Sequence, residues 1–278
     1  MRILLLSSYD AASHRYWREG LVEHLPDHTW MILTLPPRHF SWRVRGSAYA
    51  WVGEQMELLK TPFDLIIATS MVDLATLKGI VPELAMLPAI LYFHENQFAY
   101  PESDHAQTGV EAQITSIYSA LAANTLVFNS AYNRDSFFHG ARALMKKLPD
   151  HAPLALIDQL QERTRLLPVA LNDDCFKMVN RHHGKPVTLL WNHRWEYDKG
   201  PERLLLLLQQ LEEHCLDYRI HIIGQKFRQS PQVFDTIKER FSSRIGAWGY
   251  IDSRTDYINT LHQSDFVIST ALHDFQGL

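Results

Sequence analysis

Three short stretches of this 278-residue chain carry residue types that do chemistry. The first is Ser7-Ser8-Tyr9-Asp10-Ala11-Ala12-Ser13-His14-Arg15, small and polar directly behind an apolar run. Small residues let backbone N–H groups approach a ligand, and a following helix adds its positive N-terminus. Ser13 is equally suited to capping that helix. The second stretch is His94-Glu95-Asn96-Gln97, an imidazole, an acid and two amides directly after Tyr92-Phe93. It is not a zincin motif, which needs a second His where Phe98 stands. A polar cluster lining a sugar site is one reading, and a hydrogen-bonded core histidine is the other. The third stretch is Asn192-His193-Arg194-Trp195-Glu196-Tyr197-Asp198-Lys199-Gly200-Pro201. Arg194 and Lys199 share one loop, and Pro201 suits a first helical turn. Two fixed cations at a helix start can bind a diphosphate; a solvated basic pair partnered by Glu196 and Asp198 is the plainer alternative. A weaker signal closes the chain, where Asp274 and Gly277 follow an apolar run.

These stretches need elements to hold them, and the pattern around them is regular. Apolar runs at 2–8, 29–35, 63–68, 89–93 and 125–129 read as strands. Amphipathic helices are expected between them, at 14–25, 42–59, 72–84 and 107–123, and then at 134–147 and 154–163. A breaker-rich zone follows, with Arg181-His182-His183-Gly184-Lys185-Pro186 at its end. The alternation then restarts, with strands at 187–191, 218–223, 244–248 and 266–270. Strands that are apolar throughout, rather than alternating, are buried on both faces. Strands of that kind, alternating with helices, predict parallel, doubly wound α/β sheets. Two domains are expected, 1–165 and 166–278. Ligands of such sheets sit outside the carboxyl ends of strands, where all three stretches fall.

Composition narrows the function classes. Hydrophobic residues make up 46% and charged residues 21%, enough apolar surface for a sizeable core. The net charge of −4 does not announce a general nucleic-acid binder, although a local patch can carry such contacts. One such patch is Arg38, His39, Trp42, Arg43 and Arg45, where aromatic and basic residues interleave. Arg134, Arg142, Lys146 and Lys147 form a second basic group, more simply read as a solvated helix face. Cys175 and Cys215 have no CxxC spacing and read as free thiols of a reducing compartment. No apolar stretch approaches a membrane span, and the short N-terminal run is a strand rather than a signal sequence. A cytoplasmic protein without membrane contact is expected. GxGxxG is absent, which weakens a dinucleotide-enzyme reading.

The Arg194-x-x-x-x-Lys199-Gly200 spacing and the closing Asp274-Phe275-Gln276-Gly277 resemble family 4 retaining glycosyltransferases of the GT-B fold. More narrowly, three blocks resemble the tRNA-queuosine mannosyltransferase family over essentially the whole chain. They are Leu35-Pro36-Pro37-Arg38-His39-Phe40-Ser41-Trp42-Arg43, Phe93-His94-Glu95-Asn96-Gln97 and Trp191-Asn192-His193-Arg194-Trp195-Glu196. The resemblance implies two Rossmann-like domains, a GDP-mannose donor, no metal or other cofactor, retention at the anomeric carbon, and queuosine in a tRNA anticodon loop as acceptor. It places His94, Arg194 and Lys199 at the reaction, the cations on the departing diphosphate. Expected donor contacts are Ser13, Asn192, Arg194, Lys199, Gly224, Asp274 and Gly277. Expected acceptor contacts are His14, Arg38, Trp42, Arg43, Glu95, Asn96 and Gln97. Asp274 stands where family 4 usually has Glu, one methylene longer. The second acid of that acid-x7-acid element would lie beyond Leu278. The C-terminal domain is therefore expected to be incomplete, and this form weakly active or inactive. Two other functions fit the same residues: a family 4 enzyme with another donor or a glycan acceptor, and a non-catalytic nucleotide-sugar or RNA-binding module. No feature of the sequence indicates an oligomeric state.

Overall fold

The fold was established from a computed structural model, which describes residues 1–99, 109–177, 186–226 and 230–276. Gly277 and the polar run 181–185 lie outside the described residues. The chain divides into two compact units, Met1–Ala170 with the residues from Phe275 onward, and Leu171–Asp274. The expected boundary after residue 165 falls inside a strand of the first sheet, Thr164–Leu166.

The first unit holds a six-stranded, wholly parallel sheet of order β2-β1-β3-β4-β5-β6. Its strands are β1 (Arg2–Ser7), β2 (Thr29–Thr34), β3 (Leu65–Thr69), β4 (Ala89–Phe93), β5 (Thr125–Phe128) and β6 (Thr164–Leu166). Its helices are α1 (Ala12–His24), α2 (Phe40–Leu59), α3 (Leu74–Ile80), α4 (Pro82–Ala85), α5 (Val110–Ala122), α6 (Ala131–Lys147) and α7 (Ala155–Glu162). The single helix expected over 72–84 is two. Val81 is extended at φ −108°, ψ 98°, because a following proline ring disfavours helical geometry in the residue before it.

Strand periodicity of two sorts the core. Leu4, Leu6, Ala68, Leu91, Phe93, Leu126 and Phe128 pack with Trp51, Leu77, Phe137 and Leu160 on one face. Ile3, Ile67, Tyr92 and Val127 point the other way and pack with Trp17 of α1. Strand order reverses at β1, which has β2 on one side and β3 on the other. That is the switch point at which open α/β sheets leave a crevice beyond the strand ends.

The second unit repeats the plan with a four-stranded parallel sheet of order β10-β7-β8-β9. Its strands are β7 (Val187–Asn192), β8 (Tyr218–Ile223), β9 (Ile245–Gly249) and β10 (Phe266–Ile268), and its helices α8 (Pro201–Glu213), α9 (Val233–Arg240) and α10 (Arg254–Gln263). Trp191, Trp195, Leu204, Leu208, Ile220, Ile222 and Phe234 form its core. Here the order reverses at β7, between β8 and β10.

Candidate functional site

In the first unit the site grows from two periodicities that meet. Along β4 and its extension, Tyr92 and His94 share a face. Along α1, His14 and Trp17 share a face at i, i+3. The rings meet in two parallel stacks, Trp17 on Tyr92 at 4.4 Å and 29°, and His14 on His94 at 4.1 Å and 30°. Trp17 also meets His94 edge-on at 4.9 Å. The Tyr92 hydroxyl donates to the Leu167 carbonyl at 2.8 Å, and burial raises its pKa.

The two histidines differ in charge. His14 Nδ1 faces the Tyr9 carbonyl at 2.5 Å, and its Nε2 faces a Glu95 carboxylate oxygen at 3.0 Å. Carbonyl and ionised carboxylate oxygens only accept, so both ring nitrogens must donate, and only the imidazolium does that. Burial pushes the His14 pKa down. The Glu95 charge and hydrogen bond, the Tyr9 carbonyl and the Asp10 charge together outweigh it and hold the pKa above the ordinary value. The other Glu95 oxygen accepts from the Ser70 hydroxyl at 3.0 Å. His94 is the opposite case: burial first, then the charge of His14, holds its pKa well below the ordinary value. Its Nε2 has no hydrogen-bond partner among the described residues, nor do the hydroxyls of Ser7, Ser8 and Thr69 at the ends of β1 and β3. A neutral imidazole with an unused nitrogen, at the same sheet edge as unused hydroxyls, suits a polyhydroxylated ligand.

Other expected residues of this unit fall in different places. Ser13 is exposed and caps nothing; Ala11 is the N-cap of α1, with no side-chain bond. Asn96 is fully buried, and its amide donates to the side chains of Asn133 at 2.8 Å and Ser136 at 2.9 Å. Asn133 in turn donates to Asn129 at 2.8 Å, and Asn129 to the His94 carbonyl at 2.8 Å. This amide chain fixes the backbone behind His94. Gln97 is buried, with its Oε1 unpartnered among the described residues. Arg43 is buried and donates to the Pro36 carbonyl at 3.3 Å, whereas Arg38 and Trp42 are exposed. In the second basic group, Arg134 pairs with Asp135 and Arg142 with Asp158.

In the second unit the loop after β7 carries the cations. Arg194 is half-exposed and pairs with Glu196 at 3.1 Å. Lys199 is buried, not solvated: its ammonium lies 3.0 Å from Asp198, 3.3 Å from Asp274 and 3.3 Å from the His273 carbonyl. Asp198 Oδ1 is unpartnered among the described residues. Burial, then the Lys199 charge, lowers the pKa values of His193 and His273, which keeps both neutral. Burial, with the Asp198 charge, raises that of Glu196 against Arg194 and Lys199.

Two glycines shape the loops around this site. Gly200 has φ +62°, and a Cβ there would lie 2.2 Å from the Thr270 carbonyl oxygen. The Thr270 hydroxyl donates to the Lys199 carbonyl at 2.8 Å and accepts from the Trp191 indole at 2.8 Å. The loops after β7 and β10 are thus locked together around Lys199. Gly224 has φ +141°, and a Cβ there would lie 1.8 Å from the His193 carbonyl oxygen. Asn192 donates to the Tyr257 hydroxyl at 2.7 Å. Sequence reasoning missed Ser70 and Thr270. Each lies just beyond the end of a strand beside a switch point, a position that would have singled them out. Among the described residues, no three His, Cys, Asp or Glu side chains cluster as metal ligands, and no helix is long and apolar enough to cross a membrane.

Comparison with known proteins bears on both units. The family described as tRNA-queuosine alpha-mannosyltransferase N-terminal matches residues 2–171. A tRNA-queuosine alpha-mannosyltransferase of Drosophila melanogaster is 32% identical over 285 residues, covering 99% of this chain and 75% of that protein. Among solved structures, sucrose-phosphate synthase from Thermosynechococcus elongatus superposes with a TM-score of 0.69 at 13% identity, over 100% of this chain and 77% of that one. Starch synthase IV from Arabidopsis thaliana does so with a TM-score of 0.62 at 10% identity, over 100% and 79%. At such identities the structural likeness speaks to the fold alone, which is that of the GT-B glycosyltransferases.

Proposed function

The chain belongs to the tRNA-queuosine alpha-mannosyltransferase family, and on that premise we propose that it transfers mannose from GDP-mannose, with retention, to queuosine in a tRNA anticodon loop. The observation that carries the donor half is the Lys199 ammonium, buried at a switch point between Asp198 and Asp274. A buried cation at a strand end beside a helix start is where a diphosphate binds. The Asp274 contact is the longer of the two, and its carboxylate is the more exposed, 32% against 10% for Asp198. A donor phosphate would replace Asp274 on Lys199 and release that carboxylate to the sugar hydroxyls, while Asp198 keeps the ammonium in place. Arg194 would leave Glu196 for the same diphosphate.

The chemistry asked of the protein is then mainly electrostatic. The bond from the anomeric carbon to the diphosphate breaks, the acceptor hydroxyl attacks from the same face, and its proton passes to the departing phosphate. Lys199 and Arg194 stabilise charge on the leaving group, an effect of about 2.7–4 kcal/mol per well-placed donor. His94, neutral and with its Nε2 unpartnered among the described residues, keeps the place at the reaction that the family resemblance implies for it. His14 and Glu95 stand behind it as its support. Arg38 and Trp42, exposed beside the start of α2, are assigned to the RNA. No metal and no resident cofactor enters this scheme.

The test is transfer of labelled mannose from GDP-mannose to tRNA with and without queuosine, followed by α-mannosidase digestion. Label that requires queuosine and is released by α-mannosidase supports the reading. Calorimetric GDP binding without transfer would replace it with a binding module. Transfer from another nucleotide sugar, or to a glycan, would replace donor or acceptor.

A further inference from the structure

Helix α2 presents one face to solvent, and its residues at i, i+3, i+4 and i+7 are Trp42, Arg45, Gly46 and Tyr49. Trp42 is 53% exposed and Tyr49 74% exposed, in a helix whose opposite face buries Val44, Ser47, Ala48 and Trp51. A glycine inside a helix costs about 1 kcal/mol relative to alanine, so an interior glycine on the solvent side needs a reason. The reason is steric. A Cβ on Gly46 would lie 2.2 Å from Trp42 Cε2 and 2.6 Å from both Cδ2 and Cζ2. Cε2 is bonded to three ring atoms and carries no hydrogen, so it can be approached this closely only through the face of the ring. The indole therefore lies with one face on the bare helix backbone, which is why Gly46 is buried, and turns its other face outward. Tyr49 stands at its rim, with ring centroids 6.3 Å apart and planes at 65°.

We propose that the Trp42 indole, seated on Gly46 and edged by Tyr49, is a stacking platform for an unpaired base of the RNA. An aromatic plane braced from behind and, among the described residues, exposed in front matches the π-face that every unstacked base presents. Charge favours a nucleic acid over an apolar protein segment. Arg38 is exposed just before the helix, and α2 carries no acidic residue in its first turn. Arg45, on the platform's own face, is ordered by Asp73 at 2.7 Å and Glu111 at 3.3 Å, which already compensate its charge. The platform rests on the tRNA reading given above and names the part of the protein that takes the base.

The experiment is fluorescence anisotropy of a labelled tRNA anticodon stem-loop against the chain and its variants, with circular dichroism as the folding control. One lost base stack corresponds to about 5- to 150-fold in Kd, the loss expected for Trp42→Ala. Gly46→Ala, which must lift the indole off the helix, weakens binding in the same direction while leaving Trp42 in place. Trp42→Phe retains part of the affinity. Tight binding by the wild type with unchanged Kd in both Trp42→Ala and Gly46→Ala overturns the platform alone. Failure of the wild type to bind at low salt overturns the platform and the tRNA reading together. A concentration-dependent dimer that Trp42→Ala abolishes, with RNA binding unchanged, assigns the face to a second copy of the chain instead.

Discussion

Replacing Glu95 with Gln should change stability by an amount that depends on pH, and the sign follows from His14. In the wild type His14 donates from both ring nitrogens, to Tyr9 and to Glu95, and its pKa is raised. A raised histidine contributes stability that is fully present below the unfolded value, about 6.5, and is lost as pH climbs through the folded value. Glutamine keeps the shape but removes the charge. Its amide can donate to the Nε2 of a neutral His14, whose Nδ1 still donates to Tyr9. Burial then dominates and drives the His14 pKa below its unfolded value, so that stability is lost on the acid side. Both side chains of the pair are nearly buried, at 4% and 11% exposure. Breaking such a pair costs about 3–5 kcal/mol where the orphaned charge persists, which is an upper bound here because His14 can give up its proton. The largest penalty is expected on the acid side, and it should shrink steadily as pH rises through the folded wild-type value. Urea unfolding followed across this range, with histidine NMR titration of His14 and His94, measures it. The NMR should also find His94 easier to protonate in the variant, because the cation stacked on it at 4.1 Å is gone. A destabilisation that does not vary with pH, or an unchanged His94 titration, would refute the assignment of His14 as an imidazolium.

Three further outcomes are expected. Lys199→Ala and Arg194→Ala each remove a cation from the proposed leaving-group site and should lower turnover about a hundredfold or more at saturating donor; near-wild-type kcat would take them out of the reaction. Gly224→Ala places a Cβ 1.8 Å from the His193 carbonyl at φ +141°, so backbone strain and overpacking of about 1–3 kcal/mol each should lower the Tm of the second unit and weaken GDP binding. Tyr92→Phe removes the bond to the Leu167 carbonyl and should cost about 1 kcal/mol in the first unit's unfolding.

Much of the fold was legible because its signals are local. The apolar runs at 2–8, 89–93 and 218–223 become β1, β4 and β8, and the restart after the breaker-rich zone marks a second sheet. Boundaries were less legible where one residue decides them, as at Val81 before Pro82. The candidate site was proposed from residue types, and its pairings were not legible. Position after a strand singled out His94 and Lys199, yet nothing local says that Glu95 reaches back to His14 of α1 or that Asp274 meets Lys199. Those contacts depend on strand order, which brings distant loops together at the switch point of each sheet. The same ignorance makes Asn96 look like a ligand group in the sequence, whereas the Asn133 and Ser136 side chains occupy its amide. The Trp42 and Gly46 pair was half legible, since an exposed tryptophan among arginines is visible in the sequence and its seat is not.

Mass spectrometry of tRNA nucleosides, after incubation of queuosine-containing tRNA with this chain and GDP-mannose, shows whether this chain mannosylates queuosine. A mannosyltransferase of this kind yields a queuosine heavier by one hexose, formed with GDP-mannose and lost when Lys199 is replaced by Ala. Queuosine of unchanged mass, from a chain that binds both GDP and the tRNA, rules that activity out.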